Sequence, residues 1–137
     1  MPNSVPVVAI FSSSDDIVEL LRDVLEQHGF VAVSAHVDDV RRARSDVRAF
    51  MEQHDPLVVV YELIPPFRRH WQFVTHLRQT LPFERRAFVL ASANAAAARE
   101  FVGDDEPVIE LLGRQSDLDA IVSAVKAAAA SNPGAAK

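Results

Sequence analysis

The residues most able to do chemistry lie in Pro56-Leu57-Val58-Val59-Val60-Tyr61-Glu62-Leu63-Ile64-Pro65-Pro66. An apolar, β-branched run delivers one carboxylate, Glu62, and stops at two prolines. A charged group is costly to bury alone, so Glu62 is expected to meet solvent at the strand end. Ser12-Ser13-Ser14 form a hydroxyl cluster. A serine nucleophile needs a base, and none is placed for them, so capping and turn roles are expected. Asp15 and Asp16 follow at once. With Glu62 they make a conceivable oxygen set for magnesium, though acids at that point suit the N-terminal end of a helix. The five histidines, at 28, 36, 54, 70 and 76, show no close metal-ligand spacing. Trp71, beside Arg68 and Arg69, falls on an apolar stripe and is expected in the core.

These groups need elements to hold them. Val5–Phe11 is short and almost wholly apolar, as for a strand covered on both faces. Ser14 or Asp15 caps the helix that follows, with Ile17, Leu20, Leu21, Val24, Leu25 and His28 at helical spacing and Gly29 at its end. A second strand is predicted over 30–37 and a second helix on Val40, Ala43, Val47, Phe50 and Met51, up to about His54. The third strand covers 57–61, the third helix 69–81, the fourth strand 87–91, and a helix-prone segment 95–102. A fifth strand at 107–112 precedes a helix near 116–130, with Ser116 as its cap and Asp119 close to a capping box. Strands alternating with helices imply a parallel sheet with helices on both faces and right-handed crossovers. In such sheets, sites form beyond the carboxyl ends of strands, which gathers Ser12, Ser13, Glu62, Ser92 and the segment around Arg114.

The 137 residues fit one domain, taken as 1–130, with a fraying tail at 131–137. There is no cysteine, hence no disulfide, thiolate metal site or cysteine nucleophile. A net charge of -5 argues against a sequence-independent grip on nucleic acid. The basic group Arg41, Arg42, Arg44 and Arg48 is offset by Asp38, Asp39 and Asp46 and reads as a solvated helix face. No apolar run approaches the roughly 18 residues needed to span a bilayer, and a cytoplasmic location is expected.

Read together, these residues resemble the receiver domain of bacterial two-component response regulators, over about residues 5 to 130. Receivers place a proline before the third strand, the phosphoacceptor aspartate at its end and another proline four residues beyond. Here Pro56, Glu62 and Pro66 keep that spacing. The first helix, 16–30, and the fourth strand with its hydroxyl residue, Ser92, also match. Arg114 and Gln115 fall on the family's lysine–proline pair, and the aromatic switch position falls on Leu111. The resemblance implies a flavodoxin-like (βα)5 fold, a doubly wound parallel sheet of order 2-1-3-4-5.

The departures bear on mechanism. The family's two metal-holding acids after the first strand are Ser12 and Ser13 here, and neutral hydroxyls are weak ligands for a hard dication. Magnesium binding is therefore expected to be lost. Glu62 has one methylene more than aspartate, and a displacement of about an ångström can cost about 100-fold in rate. The expectation is a stand-alone pseudo-receiver, not an enzyme, independent of aspartyl phosphate. It would act by contact with a histidine kinase, another regulator or itself, through the face of the last two helices and fifth strand. A homodimer is one form of this; direct nucleic-acid or membrane binding is not expected. Glu62 is further expected to imitate the phosphorylated state by reaching Ser92 and Arg114, with Arg114 in a two-pronged pair. Two alternatives stand beside this: a working receiver using Glu62 with Asp15 or Asp16, and a flavodoxin-like small-ligand binder, which the lack of a glycine-rich phosphate loop disfavours.

Overall fold

The computed structural model describes residues 5–42, 44–80, 86–104 and 106–131, and of residues 41, 42 and 44–46 the backbone alone. Its elements are β1 (Val7–Ser12), α1 (Asp15–Gln27), β2 (Val31–His36), α2 (Val37–Arg42), α3 (Arg44–His54), β3 (Val58–Glu62), α4 (Phe67–Arg78), β4 (Ala87–Ser92), α5 (Ala95–Val102), β5 (Val108–Glu110) and α6 (Gln115–Ser131). The five strands form one sheet of order β2-β1-β3-β4-β5, parallel at every pairing. This is the flavodoxin-like doubly wound architecture expected from the sequence.

Side-chain alternation along the strands divides the interior in two. Val8, Ile10, Val58, Val60 and Ala91 pack with Leu21 and Leu25 of α1 and Leu118, Ile121 and Val125 of α6. Ala9, Phe11, Val59, Tyr61 and Leu90 pack with Met51 of α3, Val74 of α4 and Ala98 of α5. β3 is buried at every position, which is why its sequence reads as a continuous apolar run. Each fully buried Val, Leu or Ile contributes about 1.5–3 kcal/mol.

Local signals set the element ends. The Ser14 side chain caps α1 by accepting from the Ile17 N–H, and Asp15 and Asp16 occupy its first turn. Gly29, at φ 88°, takes the left-handed turn that ends it. Asn94 caps α5 by accepting from the Ala97 N–H. Pro66 sits at the N-cap of α4 at φ -77°, so the proline that closes the third-strand motif also starts the next helix. That moves the helix start to Phe67, ahead of the expected 69.

Some expectations need correction. Leu20 is 40% exposed and His28 is the exposed C-cap of α1, so the buried stripe is narrower than the periodicity suggests. The expected second helix is seen as α2 and α3, on either side of residue 43, which lies outside the described residues. Val37 opens α2 instead of closing β2. β5 keeps three residues of the expected six. α6 runs through Ser131, past the expected start of the tail, whose residues 132–137 lie outside the described ones. The side chains of Arg41, Arg42, Arg44 and Asp46 also lie outside. No helix among the described residues is long and apolar enough to cross a membrane.

Candidate functional site

β1, β3 and β4 end level with one another. The registers Phe11↔Tyr61 and Glu62↔Ala91 bring Ser12, Glu62 and Ser92 to one edge of the sheet. Glu62 is 6% exposed and Ser12 3%, so the acid is buried and does not project into solvent as expected. Three donors offset the cost of burying it. The Ser12 hydroxyl donates to Glu62 Oε1 at 2.8 Å, the Ser13 backbone N–H at 2.8 Å and the Ser13 hydroxyl at 3.0 Å. All three converge on one oxygen, an arrangement suited to an acceptor-only carboxylate. The Ser12 oxygen in turn accepts from the Ser14 N–H at 3.1 Å. The serines at 12 and 13 are therefore partners of Glu62, and only Ser14 has the capping role expected of the cluster.

Arg114 does not reach Glu62. Its Nε and Nη2 donate to the two oxygens of Asp117 at 3.2 and 2.9 Å, and Glu110 lies at 4.0 Å. Asp117 is 5% exposed. It also accepts from the backbone N–H groups of Leu112 and Arg114 at 2.8 and 3.2 Å. The hydrogen bond from Arg114 holds the Asp117 carboxyl below its usual range, helped by the two amides and the guanidinium charge and opposed by burial. The same hydrogen bond raises the Arg114 pKa. Ser92 is buried and its oxygen accepts from the Asn94 N–H at 3.1 Å. The pleat explains why it does not meet Glu62: Glu62 follows Val58 and Val60 on the α1/α6 side, whereas Ser92 follows Leu90 on the opposite side. The expected Glu62–Ser92–Arg114 constellation is thus replaced by two separate arrangements.

Asp117 is the residue that sequence reasoning missed. Ser116 and Asp119 were the expected cap pair, but Asp119 accepts from the Gln115 side chain at 2.9 Å and Asp117 takes the backbone donors. The available signal was an acid three residues after Arg114 in the first turn of a helix. Asp15 and Asp16 are exposed on α1. No group of three or more His, Asp or Glu side chains capable of holding a metal ion occurs among the described residues. Leu111, expected at the aromatic switch position, is 2% exposed and packs in the α1/α6 core. Trp71 is half-buried, with the Arg78 guanidinium 5.9 Å from its ring centre.

No family model matches the chain, and no curated protein does. Solved structures do. The chemotaxis response regulator CheY4 of Vibrio cholerae aligns at 15% identity and a TM-score of 0.61, over 89% of this chain and 99% of that one. A CheY-like response regulator receiver domain from Methylobacillus flagellatus aligns at 20% identity and 0.60, over 89% and 99%. The Mn2+-bound response regulator Rcp1 aligns at 16% identity and 0.56, over 89% and 92%. The chain has the fold of a response regulator receiver domain.

Proposed function

We propose that this chain is a receiver-like signalling domain that works by protein–protein contact and is not switched by aspartyl phosphate. The observation that carries the reading is the convergence of the Ser12 hydroxyl, the Ser13 amide and the Ser13 hydroxyl on Glu62 Oε1. A divalent ion at this corner needs several oxygen acceptors. The residues present offer donors in their place, turned toward the Glu62 carboxylate. One neighbour in fold is a Mn2+-bound protein; this donor set does not suit such an ion. Phosphoryl transfer depends on charge neutralisation and positioning, and Arg114, the cation at the lysine position, is engaged by Asp117. The proposed contact surface is the face of α5, β5 and α6, and the partner a histidine kinase, another regulator or a second copy.

The test is to titrate magnesium while following Trp71 fluorescence, and to incubate the chain with acetyl phosphate before measuring its intact mass. The expected results are no saturable fluorescence change and no phosphoryl adduct. An adduct on Glu62 would replace this reading with that of a working, atypical receiver. A small-ligand function would use a different place. A cleft of about 660 Å3 lies at the amino ends of the strands, lined by Val5, Pro6, Phe30, Leu57 and Lys126 among others, and no residue of the Glu62 corner borders it.

A further inference from the structure

We propose that Asp117, and not Glu62, sets the conformation of the β5–α6 loop, so that the α5–β5–α6 face is uncoupled from the chemistry of the sheet edge. The inference rests on the reading of a phosphorylation-independent domain and concerns how its surface is controlled. The side chains that tie residues 112–114 are Asp117 and Glu110: Asp117 accepts from the Leu112 N–H, the Arg114 N–H and two guanidinium nitrogens, one of which, Nη2, also lies 4.0 Å from Glu110, while the Arg114 carbonyl accepts from the Leu118 N–H of α6 at 3.1 Å. Glu62 is bonded instead to Ser12 and Ser13, on β1 and the turn after it. The two hydrogen-bond sets share no residue. The side-chain oxygen of Ser92, which stands between the strands of the two sets, is directed to its own loop at Asn94.

Asp117 is suited to the role. It belongs to α6, whose Leu118, Ile121 and Val125 are fixed in the core, so it is a rigid anchor. Arg114 is the movable part, its side chain 60% exposed against 6% for Asp117. Gly113, just before Arg114 and at φ 94°, gives the loop its turn. A loop tied to α6 moves with α6. Among the described residues no side-chain hydrogen bond joins Glu62 to Arg114; the two are linked only through the sheet backbone, by the Leu63 N–H to the Ala91 carbonyl at 2.7 Å and the Leu111 N–H to the Ser92 carbonyl at 2.9 Å, bonds that a change of side-chain charge at Glu62 leaves in place.

The test is amide NMR with hydrogen exchange on the full chain and on three variants, Glu62→Gln, Asp117→Asn and Arg114→Ala. Glu62→Gln is expected to shift the amides of Ser12 to Ser14 and leave those of Leu112 and Arg114 in place. Asp117→Asn is expected to raise exchange at the Leu112 and Arg114 amides by about tenfold, as for weakening a hydrogen bond to a charged acceptor. Arg114→Ala guards against an unfolded Asp117 variant; it should move the Leu112 and Gly113 resonances and leave that of Ser13 unchanged. A displaced Leu112 or Arg114 amide in Glu62→Gln, or a displaced Ser13 amide in Arg114→Ala, would overturn the proposal. Mass measurement after acetyl phosphate treatment tests the phosphorylation-independent reading separately, so failure of one is distinguishable from failure of the other.

Discussion

Glu62 and Asp117 are two nearly buried acids near the carboxyl end of one sheet, and they are accommodated in different ways. Glu62 takes one amide and two hydroxyls, all without formal charge. Asp117 takes two amides and a guanidinium. Burying a carboxylate costs several kcal/mol unless donors replace water, and both corners supply them. The difference lies in which acid has a cation. Arg114 pairs with Asp117 at the start of α6, while the donors to Glu62 are neutral. Two acids of similar burial therefore have different readouts: neutral hydrogen bonding for Glu62, ion pairing for Asp117.

Stability measurements can break or sharpen this contrast. The largest effect is expected from Asp117→Ala. It removes the charged acceptor of two amides, at roughly 1.5 kcal/mol or more each, so a loss of about 3 kcal/mol should appear in urea denaturation. A loss under about 1 kcal/mol would mean that water replaces Asp117 readily. Glu62→Ala is expected to cost about 2 kcal/mol, because the buried Ser12 hydroxyl loses its acceptor while the exposed Ser13 turns to water. If it costs as much as Asp117→Ala, the distinction between the corners fails.

Acid is expected to act through Asp117. Its folded pKa is depressed, so its contribution is fully present above the unfolded carboxyl value, ordinarily 3.8. That contribution is lost as pH falls from there through the lower folded value. Denaturation midpoints followed from pH 6 downward should therefore fall less in Asp117→Asn than in the parent chain. The smallest effect, about 0.5 kcal/mol, is expected for Ser92→Ala, which loses only the bond from the Asn94 amide; thermal melts are sufficient to show it.

Much of the fold was legible because its signals are local and redundant. The β-branched runs at 5–11 and 57–61, the Ser14 cap and Gly29 each specify an element or its end without help from the rest of the chain. α5 runs over 95–102 as expected. The site was legible in position and not in pairing. Spacing placed Ser12, Ser13, Glu62 and Ser92 at the strand ends, but which donor meets which acceptor depends on pleat direction and on competition among neighbours. Arg114 illustrates the second: an acid three residues on, in the first turn of the helix that follows it, is a nearer partner than one on another strand. Leu20 illustrates a further limit, since periodicity marks a stripe but not how far the neighbouring helix covers it.

The donors at Glu62 carry no formal charge, so the corner as described has no Coulombic pair to be screened. On the reading proposed above, chelator and molar salt should leave it as it is, while the exposed Arg114 contact weakens. A domain built this way would keep one shape at its sheet edge whatever the divalent-ion concentration of its surroundings.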